Sequence, residues 1–69
     1  MNSIGKYIRQ YRIEKKMRQE DLAEKTDLSP NYIGMIERAE KNITLINIEK
    51  IAKALDMPIK DLFDFSDNT

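Results

Sequence analysis

The sequence predicts an all-α fold, a compact bundle of five short helices that contains a helix-turn-helix. Apolar residues recur at spacings of three and four along most of the chain, which is the period of a helix with one buried face. The sequence has no run with the strict alternation of apolar and polar residues that predicts a strand. Two helical segments, 19–26 and 30–38, are so close together that only a tight turn can join them.

The first two helices are predicted from apolar faces that continue over successive turns. The first helix, at about 3–16, places Ile4, Ile8 and Tyr11 on its inward side. The second helix is expected at about 19–26. The residues that form its apolar face are Leu22, Ala23 and Thr26.

The last three helices are predicted from capping residues as well as from their apolar pattern. Ser29 is a suitable N-cap, and Pro30 suits the first helical position because its missing N–H is not needed there. Thr44 is expected to cap the fourth helix, and Pro58 opens the last one. The three helices are expected at about 30–38, 45–55 and 58–63. The residues that the third and fourth helices are expected to bury are Ile33, Ile36, Leu45, Ile48, Ile51, Ala52 and Leu55, and the apolar residues of the last helix are Ile59, Leu62 and Phe63.

The composition is that of one small domain over residues 1–69. Because the chain has neither Cys nor His, it cannot form a disulfide or a Cys/His metal site, and it lacks the common nucleophile–base pairs. No metal, cofactor or catalytic residue is therefore expected, and the chain is not expected to be an enzyme. The sequence also lacks a signal peptide and a run of roughly 20 apolar residues that could span a membrane, so a cytoplasmic protein is expected.

The formal net charge is zero, but the charge is unevenly distributed. Residues 1–18 carry six basic residues against one acidic residue, a net charge of +5. Residues 56–69 carry one basic residue against four acidic ones, a net charge of −3. Such asymmetry favours a basic DNA-binding face and a separate acidic surface, although basic residues that merely solvate the first helix would give the same pattern.

Four segments in order resemble one known family. They are IRQYR at 8–12, MRQEDLAEKTDLS at 17–29, YIGMIER at 32–38 and NITLINIEKIAKALDMPIKDLF at 42–63. Together they resemble the lambda Cro/repressor-like helix-turn-helix family, also called the Xre family, over almost the whole chain. Within that family, the short stand-alone form and the segment 42–55 look most like the controller proteins of restriction–modification systems.

The resemblance implies a DNA-binding surface on the helix-turn-helix at about 19–38. Gln19 is expected to contact a phosphate at the start of the second helix, where free N–H groups also suit an anion. Asn31 can pair with adenine through its amide edge, whereas Pro30 and Met35 can make only apolar contacts, which favours a role for DNA shape. The expected DNA-binding residues are Arg18, Gln19, Ser29, Pro30, Asn31, Tyr32, Met35, Arg38 and Asn42.

Arg12 and Glu37 occupy positions that the family often joins in a partly buried salt bridge. The resemblance therefore implies a structural role for both residues. Glu37 is not expected to be catalytic, and loss of either partner would leave a buried charge without compensation.

Ile46 is the best indication of an oligomer, because it lies off the predicted buried stripe of the fourth helix, where family members commonly carry a polar residue. With Ile59, Phe63 and Phe65 it would form an apolar patch within a dimerisation region at about 44–65. A symmetric dimer would place two recognition helices about one DNA turn, roughly 34 Å, apart. The alternative is that Ile46 and Phe65 cap the core of a monomer.

The predicted function is that of a homodimeric, sequence-specific transcriptional regulator that binds an inverted repeat in double-stranded DNA. A controller protein would activate and repress its own promoter, and RNA polymerase would be a partner through Glu20, Asp21 or the acidic tail. Two alternatives stay open. In the first alternative, the chain is a phage or plasmid repressor or an antitoxin. In the second, it is a protein-interaction module that does not bind DNA.

Overall fold

The structure, a computed structural model that describes residues 4–62, is an all-helical bundle. Its four α-helices are α1 (Ile4–Glu14), α2 (Gln19–Thr26), α3 (Pro30–Glu37) and α4 (Leu45–Ala54). A single turn of 3-10 helix, Ile59–Leu62, follows them, and no strand occurs in the described part of the chain. The all-α helix-turn-helix prediction is confirmed, but the expected fifth α-helix was wrong. After Pro58 the described chain makes one turn with an i→i+3 bond, from the N–H of Asp61 to the carbonyl of Pro58 at 3.0 Å.

The starts of α3 and α4 are capped by hydroxyl side chains. The Oγ of Ser29 accepts a hydrogen bond from the backbone N–H of Tyr32 at 3.0 Å, and Pro30 occupies the first turn of α3. The Oγ1 of Thr44 accepts from the backbone N–H of Asn47 at 3.2 Å. Both caps satisfy N–H groups that have no partner within their own helix, which is why these helices begin where they do.

All four α-helices are followed by a residue in the left-handed backbone region, and none of these residues is glycine. They are Lys16, Asp27, Ala39 and Asp56, with φ angles of 60°, 61°, 61° and 57°. The N–H of the next residue then donates to a carbonyl in the last turn of the helix, for example from Glu40 to Met35 at 2.8 Å. This arrangement is the Schellman motif, which ends a helix by satisfying its free carbonyls. It explains why α1 ends at Glu14 rather than near Lys16.

The core lies where α2 packs against α3 and α4, with α1 against α3 and the 3-10 turn against α1 and α4. Its buried apolar residues are Ile4, Ile8, Leu22, Ala23, Ile33, Ile36, Ile48, Ile51, Ala52, Leu55 and Leu62. The prediction that Leu45 is buried was wrong, because 61% of it is exposed. Leu45 is the first residue of α4, and the buried stripe of that helix begins one turn later at Ile48.

Helices α1 and α3 meet backbone to backbone at Gly5. A Cβ atom at this position would overlap the carbonyl oxygen of Ile36 and would also come within 3.1 Å of the Cα of Glu37. Gly5 therefore lets the last turn of α3 lie directly on α1, and no other residue type fits this contact without a shift of one helix.

Candidate nucleic-acid interface

The start of α3 presents a row of exposed side chains above a buried base. Ser29, Pro30 and Asn31 are exposed, whereas Ile33 and Ile36 on the opposite side are fully buried. Met35 is half-buried on the same helix. The core thus holds α3 from beneath and leaves its first turn free to approach another molecule.

A buried ion pair between Arg12 and Glu37 ties α3 to α1. The Nε of Arg12 lies 2.7 Å from Oε2 of Glu37, and its Nη2 donates to Oε1 at 3.0 Å. The Nη1 of Arg12 donates to the carbonyl of Met17 at 2.8 Å, in the connection between α1 and α2. Such two-pronged pairing gives fixed geometry as well as attraction. Both oxygens of Glu37 are therefore engaged in bonds to other helices.

Gln19 joins the same network from the start of α2. Its Nε2 donates to Oε1 of Glu37 at 3.1 Å, so one carboxylate connects three helices. Gly34 leaves the space for this arrangement, because a Cβ there would lie 3.5 Å from Oε1 of Gln19 and 3.0 Å from Nη1 of Arg38. The two polar side chains therefore converge over Gly34 on one side of α3.

Arg38 is exposed at the end of α3, where it forms an ion pair with Glu40. The Nε of Arg38 lies 3.1 Å from Oε2 of Glu40. This hydrogen bond and the attraction of the carboxylate raise the pKa of Arg38. Glu40 was missed by the sequence reasoning, because it approaches Arg38 only where the left-handed backbone of Ala39 turns the chain.

Arg18 stands at the start of α2 with its side chain 76% exposed. Its backbone N–H donates to Oδ2 of Asp21 at 2.8 Å, and its Nε lies 3.4 Å from the same atom. The hydrogen bond from the Arg18 backbone is the main cause of the lowered pKa of Asp21, and the side-chain hydrogen bond to Asp21 raises the pKa of Arg18. Asp21 thus caps α2, complements its dipole and holds Arg18 at the edge of the helix-turn-helix.

Tyr32 is half-buried rather than free. Its ring packs against the core, and its hydroxyl accepts a hydrogen bond from Nδ2 of Asn47 at 2.9 Å. Asn47, in the first turn of α4, was also missed by the sequence reasoning, because the two residues are fifteen positions apart and no sequence signal pairs them. Asn42 is exposed in the loop between α3 and α4.

The residues predicted to form a dimer interface fall into three groups. Ile46 is 66% exposed beside the exposed Leu45, so the start of α4 carries an apolar surface. Ile59 is half-buried, packs against the core and lines a groove between the later part of α4 and the 3-10 turn. Phe63 and Phe65 lie outside the described residues.

No metal-binding group of carboxylates occurs among residues 4–62. Over the same residues, no helix is both long and apolar enough to cross a membrane.

A family model described as Helix-turn-helix matches residues 8–62. The chain belongs to this family. That match covers all four α-helices and the 3-10 turn except the first residues of α1. The resemblance to Xre-type helix-turn-helix proteins is therefore confirmed.

Individual relatives are similar over most of their length. The control protein C.BamHI of Bacillus amyloliquefaciens is 51% identical, over 91% of this chain and 79% of the relative. The crystal structure of the restriction–modification controller protein C.AhdI from Aeromonas hydrophila matches with a TM-score of 0.85 and 40% identity, over 87% of this chain and 91% of that one. The crystal structure of SinR, a master regulator for biofilm formation, in complex with DNA matches with a TM-score of 0.83 and 37% identity. The match covers 88% of this chain and 98% of that one.

Proposed function

We propose that this chain is a sequence-specific DNA-binding transcriptional regulator that acts as a homodimer on an inverted repeat. The observation that carries the proposal is the exposed first turn of α3 above a base held by the Arg12–Glu37 pair. A helix fixed from beneath and free along one side is the form that enters a major groove. The likeness to SinR, whose structure contains DNA, supports this assignment.

Within this proposal, phosphate contacts hold the helix-turn-helix on DNA and α3 reads the bases. In this proposal the donors for phosphate oxygens are Arg18, Gln19, Arg38 and Asn42. Asn31 offers a base contact through its amide, and Ser29 offers a hydroxyl donor. Pro30 and Met35 offer only apolar contacts, so DNA shape contributes to the choice of operator.

The proposed dimer uses the apolar start of α4. Leu45 and Ile46 are both more than half exposed, and together they form a surface that a second copy would remove from water. Ile59, Phe63 and Phe65 are the further residues proposed for this interface from the sequence. A dimer would also present the basic segment 1–18 to DNA twice, which would double the phosphate contacts that one copy of the segment can make.

The likeness to C.BamHI and C.AhdI favours the narrower role of a restriction–modification controller protein that activates and represses its own promoter. Activation would require a contact with RNA polymerase, for which the acidic residues Glu20 and Asp21 on the exposed side of α2 are candidates. Placement of the gene beside a restriction–modification operon tests this role directly.

The decisive experiment is selection from a random double-stranded DNA pool with the purified protein. Enrichment of an inverted repeat whose half-sites are about one turn apart supports the proposal and gives the operator. A folded protein that enriches nothing at low salt refutes it. The second candidate is a protein-interaction module, which the zero net charge favours. Absence of enrichment at low salt would move this module to first place.

Two variants test the proposed surfaces. Arg38→Ala should weaken binding to all sequences and lower the salt slope by about one, whereas Lys25→Ala removes an exposed charge on α2 outside the proposed contacts and should change the affinity less. Ile46→Glu should give a folded monomer in analytical ultracentrifugation, because the carboxylate would be buried at the dimer contact. Ile13→Glu is the matched control, since Ile13 is exposed on α1, and it should stay dimeric.

A further inference from the structure

The hydrogen bond between Tyr32 and Asn47 connects two surfaces to which the proposed function gives different tasks. Tyr32 lies on α3 one residue after the exposed row at 29–31. Asn47 lies on α4 one residue after the exposed Leu45 and Ile46. The 2.9 Å bond from Nδ2 of Asn47 to the hydroxyl of Tyr32 therefore joins the helix that faces DNA to the helix that carries the apolar surface.

Both partners are held in place. The ring of Tyr32 packs against the core, and the bond it makes is partly buried. The backbone N–H of Asn47 is bound by the cap residue Thr44, so its side chain projects from a fixed first turn of α4. Because both groups are anchored, a hydrogen bond between them resists rotation of α3 against α4. A bond between two mobile surface side chains would not resist it.

The rest of the bundle connects these helices less directly. Helix α3 packs mainly on α2 and α1, while α4 packs on α2 and on the 3-10 turn. The orientation of α3 relative to α4 is thus transmitted largely through α2. In a symmetric dimer formed through α4, any error in that orientation occurs twice, once in each subunit, and shifts the separation of the two recognition helices.

We propose that Tyr32 and Asn47 are a pair of positioning residues that sets the half-site spacing accepted by the dimer. This inference rests on the proposed function. The pair acts through the orientation of α3, and it does not read bases itself. Tyr32 then affects DNA recognition because Asn47 holds it, which differs from a direct contact between its hydroxyl and a phosphate.

The test uses the operator selected by the wild-type protein, rebuilt with spacers that are one or two base pairs shorter or longer. The variants are Tyr32→Phe, Asn47→Ala and the double variant, with Tyr7→Phe on α1 as the matched loss of a hydroxyl. The wild type and Tyr7→Phe should prefer one spacer. Tyr32→Phe and Asn47→Ala should each lose about 2- to 10-fold of that preference, the range expected for one hydrogen bond.

The double variant separates positioning from direct contact. If the bond is what matters, the double variant loses no more spacing preference than either single variant. The affinity of the two single variants and the double variant for an isolated half-site should stay unchanged. A variant that was only less stable at the assay temperature would lose affinity for the half-site as well. Thermal unfolding followed by circular dichroism confirms that each variant is folded.

Two results overturn the inference while the proposed function stands. In the first, the wild type selects an inverted repeat and both single variants keep its spacing preference. In the second, Tyr32→Phe weakens binding equally at every spacing while Asn47→Ala has no effect, which assigns Tyr32 to the DNA itself. A wild type that selects no inverted repeat refutes the proposed function and, with it, the role of the pair.

Discussion

Removal of one partner from the buried ion pair between Arg12 and Glu37 should cost much more stability than removal of both. Only 10% of the Arg12 side chain and 2% of the Glu37 side chain are exposed. The variant Arg12→Met keeps the apolar stem of the side chain but leaves the Glu37 carboxylate buried, with Gln19 as its remaining hydrogen-bond donor in this network. The expected loss in free energy of unfolding is about 3–5 kcal/mol.

That loss is large for a chain of 69 residues. At roughly 0.05–0.15 kcal/mol per residue, the whole domain is stable by only about 3–10 kcal/mol. The double variant with Arg12→Met and Glu37→Met removes both charges from this buried site. Because the two desolvation penalties vanish together, it should lie within about 2 kcal/mol of the wild type, with the freed carbonyl of Met17 as its main cost.

The assay is urea unfolding followed by circular dichroism for the wild type, both single variants and the double variant. Glu40→Met breaks the exposed pair with Arg38 and serves as the control, with an expected change below about 1 kcal/mol. A single variant that is unfolded in buffer agrees with the reasoning if the double variant is folded. The reasoning fails if Arg12→Met costs as little as the exposed control, or if the two single losses simply add.

Three further predictions concern the helix contacts and ends. Gly5→Ala should lower the free energy of unfolding by about 2 kcal/mol or more, since its methyl group meets the backbone of Ile36; a wild-type urea midpoint would contradict the contact. Ala39→Gly should raise the free energy of unfolding by about 0.5–1 kcal/mol by relief of the left-handed conformation, while Ala54→Gly at the last residue of α4 should lower it. Because the pKa of Asp21 is lowered on folding, its stabilising effect is complete above its ordinary pKa of about 4 and is lost as the pH falls through the lowered value. Asp21→Asn should therefore lower the urea midpoint of unfolding at neutral pH, and the difference in midpoint between variant and wild type should disappear in acid.

Helix starts were predicted from named capping residues, whereas helix ends were predicted only from where the apolar pattern stops. The predicted end of α2 agrees with the structure, and that of α1 is too late. Ser29, Pro30 and Thr44 are residue types whose side chains or rings suit the first turn, so the beginnings of α3 and α4 followed from chemistry alone. The ends rely on left-handed residues that are usually glycine, but here Lys16 and Ala39 are among the residues that take this conformation. Lys and Ala do not favour this conformation, so their residue types gave no signal that a helix would end there.

The site divides in a similar way. The pairing of Arg12 with Glu37 was expected only from the family resemblance, since the residues are 25 positions apart. The contacts made by Glu40 and Asn47 depend on how the loop between α3 and α4 folds back, which composition and periodicity do not encode. The burial of Leu45 was mispredicted because periodicity gives the direction of a buried stripe without the point at which the helix reaches the core.

The backbone contact at Gly5 separates the evolution of specificity from the evolution of the fold. Because α3 meets α1 backbone to backbone at Gly5 and is anchored in the core by Ile33 and Ile36, the exposed Asn31 contributes little to holding it in place, whereas Ser29 caps its first turn. If α3 reads DNA as proposed, substitutions at position 31 can change the operator without unfolding the domain, as long as a capping residue stays at position 29. If the proposed function holds, paralogues can diverge in target DNA while their helical scaffold stays the same.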